Sequence, residues 1–501
     1  MSFAAVVGDM AGLMSWCGNC PAFALGSYVV KVKLRFGNRA VAEVTRHVRY
    51  LTFFVQDVVS SRNRFQVRKR AGLKKKGEFD ACGKPARLGG KSFGGHNPAM
   101  PSDSRLTFFA RTDFHDLKKV FGIRRADRRA HMYVIGKTGT GKSTLLETLI
   151  RQDIEAGEGI ALLDPHGDIV ERIVSRVPER RRDDVIYFNV PDALHPLGFN
   201  PLEQVPAAKR PLTASGLLEV FKKLWPEFWG PRLEHILRNA LLALLDQPEA
   251  TLADVLRLFD DPAYRKRVSE RVANAQVRNF WIREYESYPK NLKAEAIAPI
   301  QNKVGAFLAN PILNRIVTQP KSTFDVRRVM DEGNLLLVNL AKGKIGEDTA
   351  SLLGALLVTR IGVAALSRAD LPENQRRDFY IYMDEFQSFT TLSIANMLSE
   401  LRKYRAGMIL AHQYLYQLDA QIREAILGNV GTIISFRLGA SDAQILKREF
   451  APEIDAADLI SLSNYHIYLK LMVEGEITRP FSARTVKLSN TTAVSRESER
   501  Q

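Results

Sequence analysis

Eight consecutive residues, Gly136 to Ser143, have the types and spacing of a phosphate-binding loop. They read GKTGTGKS, in which glycines let backbone N–H groups converge on phosphate oxygens. The apolar run Met132–Ile135 precedes them and the helical pattern Leu145–Ile150 follows, which is the strand–loop–helix order that such a loop needs. The alternative is a glycine-rich turn without a ligand. We predict that a nucleotide contacts nine residues: Gly136, Lys137, Thr138, Gly139, Thr140, Gly141, Lys142, Ser143 and Thr144.

Two adjacent carboxylates, Asp384 and Glu385, end the apolar run Phe379–Met383. Ser143 and Asp384 are the predicted Mg²⁺ ligands, directly or through water, and Lys142 is predicted to reach the β- and γ-phosphates. Glu385 is predicted to act as the general base that polarises an attacking water. A loop that only binds nucleotide has no need of this second carboxylate, so the pair favours hydrolysis. The alternative is a pair of acids at a strand-end turn.

Polar groups next to two other apolar runs could contact the γ-phosphate. Gln413 follows the run Met408–Ala411 and is predicted to lie beside the phosphates if this strand neighbours that of Asp384. An arginine of the segment Glu400–Arg405 could act as an arginine finger on a neighbouring copy, and Arg437 is a second candidate. The alternative for each arginine is a solvated surface position.

The elements that must position these residues form an α/β pattern from about Thr107 onward. Short, continuous apolar runs alternate with helical stretches, which is typical of a mostly parallel sheet covered by helices. Between Leu202 and Pro320 the pattern is helical only, so an all-helical insertion is expected to interrupt the sheet. The predicted strands are Met132–Ile135, Ile160–Leu163, Val185–Phe188, Leu335–Leu340, Phe379–Met383, Met408–Ala411 and Thr432–Phe436.

These patterns divide the chain into five parts. Residues 1–102 are expected to be a basic, weakly structured tract and linker, with a strand or two between Val29 and Val59. Residues 103–204 and 323–488 are expected to form the two parts of the ATPase domain, and residues 205–322 the helical insertion. Residues 489–501 are expected to form a frayed tail.

Charge and composition narrow the class of protein. The chain has 501 residues, of which 45% are hydrophobic and 25% charged, which excludes a fibrous or wholly disordered protein. Residues 31–130 hold 25 Lys or Arg and 8 Asp or Glu, so this tract accounts for the net charge of +17. Its Arg62–Lys76 stretch could bind a phosphate backbone or anionic lipid, and the alternative is a solvated tail. Only three cysteines in a chain of this length argue against a disulfide scaffold and favour a reducing compartment. The sequence has no uninterrupted run of 18 apolar residues, so no transmembrane helix is predicted.

Four stretches of this sequence resemble the HerA/FtsK-type motor ATPases, and within them the type IV secretion coupling proteins of the TraD/TraG kind. They are the Gly136–Ser143 loop, the Leu163–Asp168 turn, the Tyr382–Phe386 strand end and the Glu400–Gln413 segment. The likeness covers about residues 107–485, including the helical insertion. Coupling proteins usually carry N-terminal transmembrane helices, and this sequence shows none.

The resemblance implies a RecA-like P-loop NTPase that binds ATP with Mg²⁺ and forms a homo-hexamer that pumps DNA, single- or double-stranded. It places the arginine finger at Arg402, and it matches Asp164 and His166 to a turn whose role the residues do not reveal. Relaxase or secretion-channel proteins would be its partners. We predict a cytoplasmic protein whose contact with the inner face of the cell membrane, if any, goes through the basic tract or a partner.

Three functions remain open from the sequence. The first is a DNA-translocating ATPase. The second is a HerA-like DNA-repair helicase or translocase, or a secretion ATPase that moves protein, which shares the same motifs. The third is an ATP-gated subunit that docks DNA through its basic tract without being an enzyme.

Overall fold

The computed structural model describes residues 28–36, 39–48, 104–113, 118–203 and 205–487. The chain divides into two units, residues 1–95 and residues 96–501. In the first unit, strands β1 (Tyr28–Phe36) and β2 (Arg39–Val48) pair antiparallel, as expected for the stretch from Val29. The Arg62–Lys76 stretch, the three cysteines and the tail lie outside the described residues.

The second unit is built on an eleven-stranded sheet and one small hairpin. Its strands are β3 (Leu106–Thr112), β4 (Val120–Arg124), β5 (Met132–Ile135), β6 (Gly159–Asp164), β7 (Val185–Asn189), β8 (Leu335–Asn339), β9 (Phe379–Met383), β10 (Ala406–His412), β11 (Thr432–Ser435), β12 (His466–Lys470), β13 (Met472–Val473), β14 (Glu476–Ile477) and β15 (Phe481–Thr485). The sheet order is β4-β3-β15-β12-β11-β5-β10-β9-β6-β8-β7, and β13 pairs with β14.

Seven neighbouring strands, from β11 to β7 in this order, pair in parallel. Beyond β11, strands β12, β15, β3 and β4 continue the sheet by antiparallel pairing. The central strands β5, β6, β8, β9 and β10 are buried along their whole length, which is why their sequences are continuously apolar. The predicted mixed α/β fold with a mostly parallel sheet is therefore confirmed.

Helices cover this sheet and also form the stretch between β7 and β8. They are Arg125–Arg128, Lys142–Ala156, Asp168–Val174, Arg210–Leu224, Pro231–Leu245, Ala253–Asp260, Pro262–Arg271, Ala275–Asn279, Tyr285–Ser287, Lys290–Ala309, Pro311–Val317, Val326–Glu332, Lys342–Ile345, Glu347–Ser367, Ser393–Glu400, Ala420–Asn429, Ala440–Phe450 and Ala456–Ser461. We call Arg210–Leu224 the insertion helix and Glu347–Ser367 the core helix. In the part of the chain that the structure describes, no strand lies between β7 and β8.

The helix Pro231–Leu245 shows why this stretch folds as it does. Its apolar residues recur at helical spacing and bury one continuous face: Leu233, Ile236, Leu237, Ala240, Leu241 and Leu244. Trp225 and Trp281 are also buried, and Trp225 stacks on Phe221 with ring centroids 4.9 Å apart. These tryptophans pack the helices together.

The core helix is the most apolar helix of the described chain. The segment Glu347–Asp370 is long and apolar enough to cross a membrane, but 83% of its apolar 18-residue stretch is buried inside the molecule. It contacts the insertion helix, where a Cβ placed on Gly216 would lie 2.5 Å from Cγ2 of Thr359. The absence of a side chain at Gly216 thus lets the two helices approach closely.

Candidate active site

The phosphate loop lies between β5 and the helix Lys142–Ala156. Gly139 and Gly141 have φ of 75° and 123°, a backbone conformation that favours glycine. The Gly136 N–H donates to the carbonyl of His412 at the end of β10 (3.3 Å), and the Lys137 N–H donates to the carbonyl of Arg437 after β11 (2.9 Å). Both strands beside β5 therefore hold the loop at the carboxyl edge of the sheet.

Lys142 is the first residue of that helix, and its side chain spans the loop. Its Nζ donates to the carbonyl oxygens of Gly136 (2.6 Å) and Lys137 (3.2 Å). Burial lowers the pKa of Lys142, while the charges of Glu385 and Asp384 oppose that shift. The ammonium thus lies where phosphate oxygens and both carboxylates can interact with it.

Three acidic residues meet at the carboxyl edge: Asp164 at the end of β6, and Asp384 and Glu385 after β9. Asp384 is 6% exposed. Burial, then the charges of Asp164 and Glu385, raise the pKa of Asp384 to about 7, against the opposing effect of Lys142. Carboxyl groups that lie together in this way can interact with a cation.

Asp164 has a structural role that the sequence did not reveal. Its Oδ1 accepts the N–H of His166 (2.9 Å), and its Oδ2 accepts those of Ile169 (2.8 Å) and Val170 (3.2 Å). The carboxylate therefore ties the turn to the first residues of the helix Asp168–Val174, whose backbone N–H groups have no helical partner. His166 is exposed on that turn.

Gln413 connects the phosphate loop to Glu385. Its Oε1 accepts the hydroxyl of Thr138 (2.6 Å), and its Nε2 donates to Oε1 of Glu385. The other oxygen of Glu385, Oε2, accepts Nε2 of Gln387 (2.8 Å). Two amides thus fix the Glu385 carboxylate, whose backbone has a left-handed φ of 44°.

The structure places the two candidate arginines differently. Arg437 lies at the phosphate edge, but its guanidinium donates to the carbonyl of Leu462 (3.2 Å) and to Oδ1 of Asn464 (3.0 Å). Arg402 is exposed and precedes β10, at the amino edge of the parallel strands, away from its own phosphate loop. It lines a cleft of about 740 Å³ with Arg124, Arg129 and Arg376. Arg402 is therefore not brought together with the other predicted site residues of its own chain.

The donor groups at the site fit a nucleotide-bound Mg²⁺. Ser143 offers a hydroxyl and Asp384 a carboxylate, the oxygen ligands that this ion prefers. Among the described residues, no group of three or more His, Cys, Asp or Glu could hold a metal by itself. A P-loop ion needs no such cage, because phosphates and water supply most of its ligands.

Two residues at the site were missed from the sequence. Tyr465, with a left-handed φ of 68°, donates its N–H to the carbonyl of Thr140 (2.8 Å), and its ring lies against Gly141. Lys223 of the insertion helix donates to the carbonyls of Gln387 (2.8 Å) and Ser388 (3.1 Å). The aromatic residue and the lysine carry no local motif, so only the tertiary fold identifies them.

Comparisons with known proteins agree with this geometry. A family model described as the type IV secretion-system coupling protein DNA-binding domain matches residues 119–445. No curated protein matches the sequence.

Three solved structures share the fold at low sequence identity. The plasmid coupling protein TrwB with a non-hydrolysable GTP analogue has 18% identity and a TM-score of 0.52, over 76% of this chain and 90% of TrwB. TrwB with ADP and Mg²⁺ has 17% identity and a TM-score of 0.54, over 74% and 88%. VirB4 of Thermoanaerobacter pseudethanolicus has 11% identity and a TM-score of 0.52, over 80% and 99%. These likenesses concern the fold.

Proposed function

This chain belongs to the type IV secretion-system coupling protein family, and from that premise we propose that it is an ATP-hydrolysing motor that moves DNA. The hydrogen bonds that join Glu385 to Thr138 through Gln413 carry the proposal, because they place a carboxylate beside the phosphate loop. A loop that only binds nucleotide does not require such a carboxylate.

In the proposed reaction, a water attacks the γ-phosphorus of ATP while Glu385 takes its proton, and ADP leaves with the bridging oxygen. The Gly136–Ser143 loop and Thr144 bind the phosphates, and Lys142 exchanges its loop carbonyls for phosphate oxygens. Mg²⁺ near Ser143 and Asp384 would neutralise charge on the β- and γ-phosphates. Gln413, held by Thr138, orients Glu385.

Arg402 is proposed to act on a neighbouring copy. Because it lies at the amino edge of the sheet and its own phosphate loop at the carboxyl edge, it cannot reach the nucleotide of its own chain. A homo-hexamer in which these two edges meet would supply Arg402 to each γ-phosphate. We place this ring in the cytoplasm, with relaxase or channel proteins as its partners.

DNA engagement is supported by two features. The matched family model is that of a DNA-binding domain, and the net charge of +17 comes from residues 31–130. A charged tract of this kind gives salt-dependent affinity for the phosphate backbone without reading sequence.

The test is steady-state ATPase activity of the full chain and of residues 103–501, with and without single- or double-stranded DNA. We expect DNA to stimulate both proteins several-fold, and Lys142→Ala to abolish turnover. Turnover indifferent to DNA would contradict a DNA motor and favour a protein-moving ATPase. No turnover, with DNA affinity residing in residues 31–102, would favour the docking subunit.

A further inference from the structure

Lys223 is a partly buried lysine whose ammonium group has main-chain carbonyls as partners. It lies in the last turn of the insertion helix, and its Nζ donates to the carbonyls of Gln387 and Ser388 at 2.8 and 3.1 Å. Burial lowers the pKa of Lys223 to about 8. Burying a cation costs free energy that an apolar side chain of similar length would not cost. Packing alone does not require a lysine at this position.

The two carbonyls belong to the turn that immediately follows Glu385. This 3₁₀ turn, Phe386–Ser388, begins after the left-handed backbone of Glu385. The side chain of Gln387, in the same turn, donates to Oε2 of Glu385 at 2.8 Å. A shift of the turn therefore moves both the backbone and one of the two amides that hold the carboxylate.

The insertion helix connects this turn to the core helix. Its Gly216 position is in close contact with Thr359 of the core helix, and Lys223 lies two turns further along. Motion of the helical insertion that pivots on this contact would displace the Lys223 end against the turn.

We propose that Lys223 is a positioning residue through which the insertion helix holds the turn after Glu385 in place, so that the position of this helix sets the rate of hydrolysis. The inference rests on the proposed function, in which Glu385 is the general base. It adds a connection between the helical insertion and the reacting carboxylate.

The test uses the full chain with Lys223→Met, which keeps the side-chain length but removes the donors. Lys222→Met, one residue away and exposed, is the matched control. Three quantities are measured: kcat with and without DNA, the Kd of a non-hydrolysable ATP analogue, and the thermal unfolding midpoint. We expect Lys223→Met to lower kcat about 10–100-fold, the range for a misplaced catalytic group, with the analogue Kd within about twofold of wild type.

Two further variants separate positioning from general stability. Lys223→Arg retains a cation with donors and should recover part of kcat. Gln387→Leu removes the hydrogen bond from the Gln387 amide to Glu385. The Lys223→Met/Gln387→Leu double variant should lose no more kcat than the worse single variant, because both residues act through one turn.

Several results would overturn the inference. They are a kcat of folded Lys223→Met within twofold of wild type, an analogue Kd that weakens as much as kcat falls, or losses that multiply in the double variant. If Lys223→Met does not fold, Lys223→Leu, which also lacks donors, is judged by the same criteria. Absence of hydrolysis in the wild-type chain itself would instead refute the proposed function, together with this inference.

Discussion

At the scale of single residues, two buried histidines are held neutral by their surroundings. Nδ1 of His131 accepts the N–H of Met408 (3.0 Å), and its Nε2 donates to the carbonyl of Leu398 (2.9 Å). Burial lowers the pKa of His131 to about 4. His412 contacts the rings of Tyr133 and Phe386, and burial lowers its pKa to about 3. Neither ring can take up a proton without losing this environment.

We expect acid to destabilise the fold through His131. Between pH 6.5 and 4 the unfolded chain binds a proton at this residue and the folded chain does not. The free energy of unfolding therefore falls with falling pH, by about 1.4 kcal/mol per pH unit for one such group. His131→Asn, which tolerates the left-handed φ of 63°, should make this dependence shallower in denaturant titrations from pH 7 to 4.5.

The control is His195→Asn, because the His195 side chain is 84% exposed. This substitution should leave the pH dependence of the free energy of unfolding unchanged. Equal slopes for wild type and His131→Asn would show that this histidine does not contribute to acid lability.

Glu385→Gln tests the base directly. The amide keeps the size of the side chain but cannot accept a proton from water, so we expect kcat to fall by about 10²–10⁴-fold while ATP binding remains. Glu424→Gln, at an exposed glutamate, is the control. Normal hydrolysis by Glu385→Gln would show that another group is the base.

The site residues were predictable to the extent that their motifs are local. The Gly136–Ser143 loop, Asp384 and Glu385 are recognisable because glycine spacing and strand-end acids follow from chain geometry. Gln413 was placed at the phosphates because its strand was expected beside that of Asp384, and the structure brings it to Thr138 and Glu385. Lys223 and the helix-capping role of Asp164 depend on tertiary contacts, which no short sequence pattern encodes.

At the scale of elements, the contact between the insertion helix and the core helix depends on the lack of a side chain at Gly216. Alanine usually stabilises a helix by about 0.5–1 kcal/mol relative to glycine. Here the added Cβ would overlap Cγ2 of Thr359 at 2.5 Å. For Gly216→Ala, helix propensity therefore predicts a higher free energy of unfolding, and packing predicts a lower one.

We expect Gly216→Ala to lower the free energy of unfolding by about 1–3 kcal/mol, the usual cost of overpacking. Gly305→Ala, in the helix Lys290–Ala309, has nothing within 4 Å of the new Cβ and should be neutral or stabilising. Thr359→Ser removes the obstructing methyl group and should rescue Gly216→Ala in denaturant titrations. If Gly216→Ala were as stable as Gly305→Ala, the helices would have room to separate.

The elements themselves were largely predictable, and their arrangement was not. Buried parallel strands are continuous apolar runs, so the seven predicted strands are present within one or two residues at each end; the largest difference is β10, which begins at Ala406 rather than Met408. The order of strands and the antiparallel extension by β12, β15, β3 and β4 depend on long-range pairing. Strands β3 and β4, at one side of the sheet, are only partly buried, and their apolar patterns are weaker.

At the scale of the whole molecule, the parallel strands give the second unit two chemically different edges. The carboxyl edge carries the phosphate loop, Glu385 and Gln413. The amino edge carries the cleft with Arg402, Lys403 and Arg376. In the proposed assembly each nucleotide site is shared by two copies, one supplying the loop and the other the arginine.

This arrangement predicts complementation between two inactive variants. Lys142→Ala removes the loop lysine and Arg402→Ala the arginine, so each alone should be inactive. When equal amounts are mixed and reassembled, about a quarter of the head-to-tail interfaces combine an intact loop with an intact arginine. We expect ATPase activity of that order, whereas the Lys142→Ala/Arg402→Ala double variant mixed with either single variant should give none, because one of the two groups is then missing from every interface. No recovery would contradict a shared site.

Because all seven parallel strands point the same way, contact between carboxyl and amino edges has a sense of rotation. In the proposed assembly, each copy would present its catalytic edge to one neighbour and its arginine edge to the other, so that its two neighbours would not be equivalent. The copy that supplies the arginine to one site would carry the catalytic edge of the next. The direction from one nucleotide site to the next around such a ring would follow from the strand direction within a single sheet.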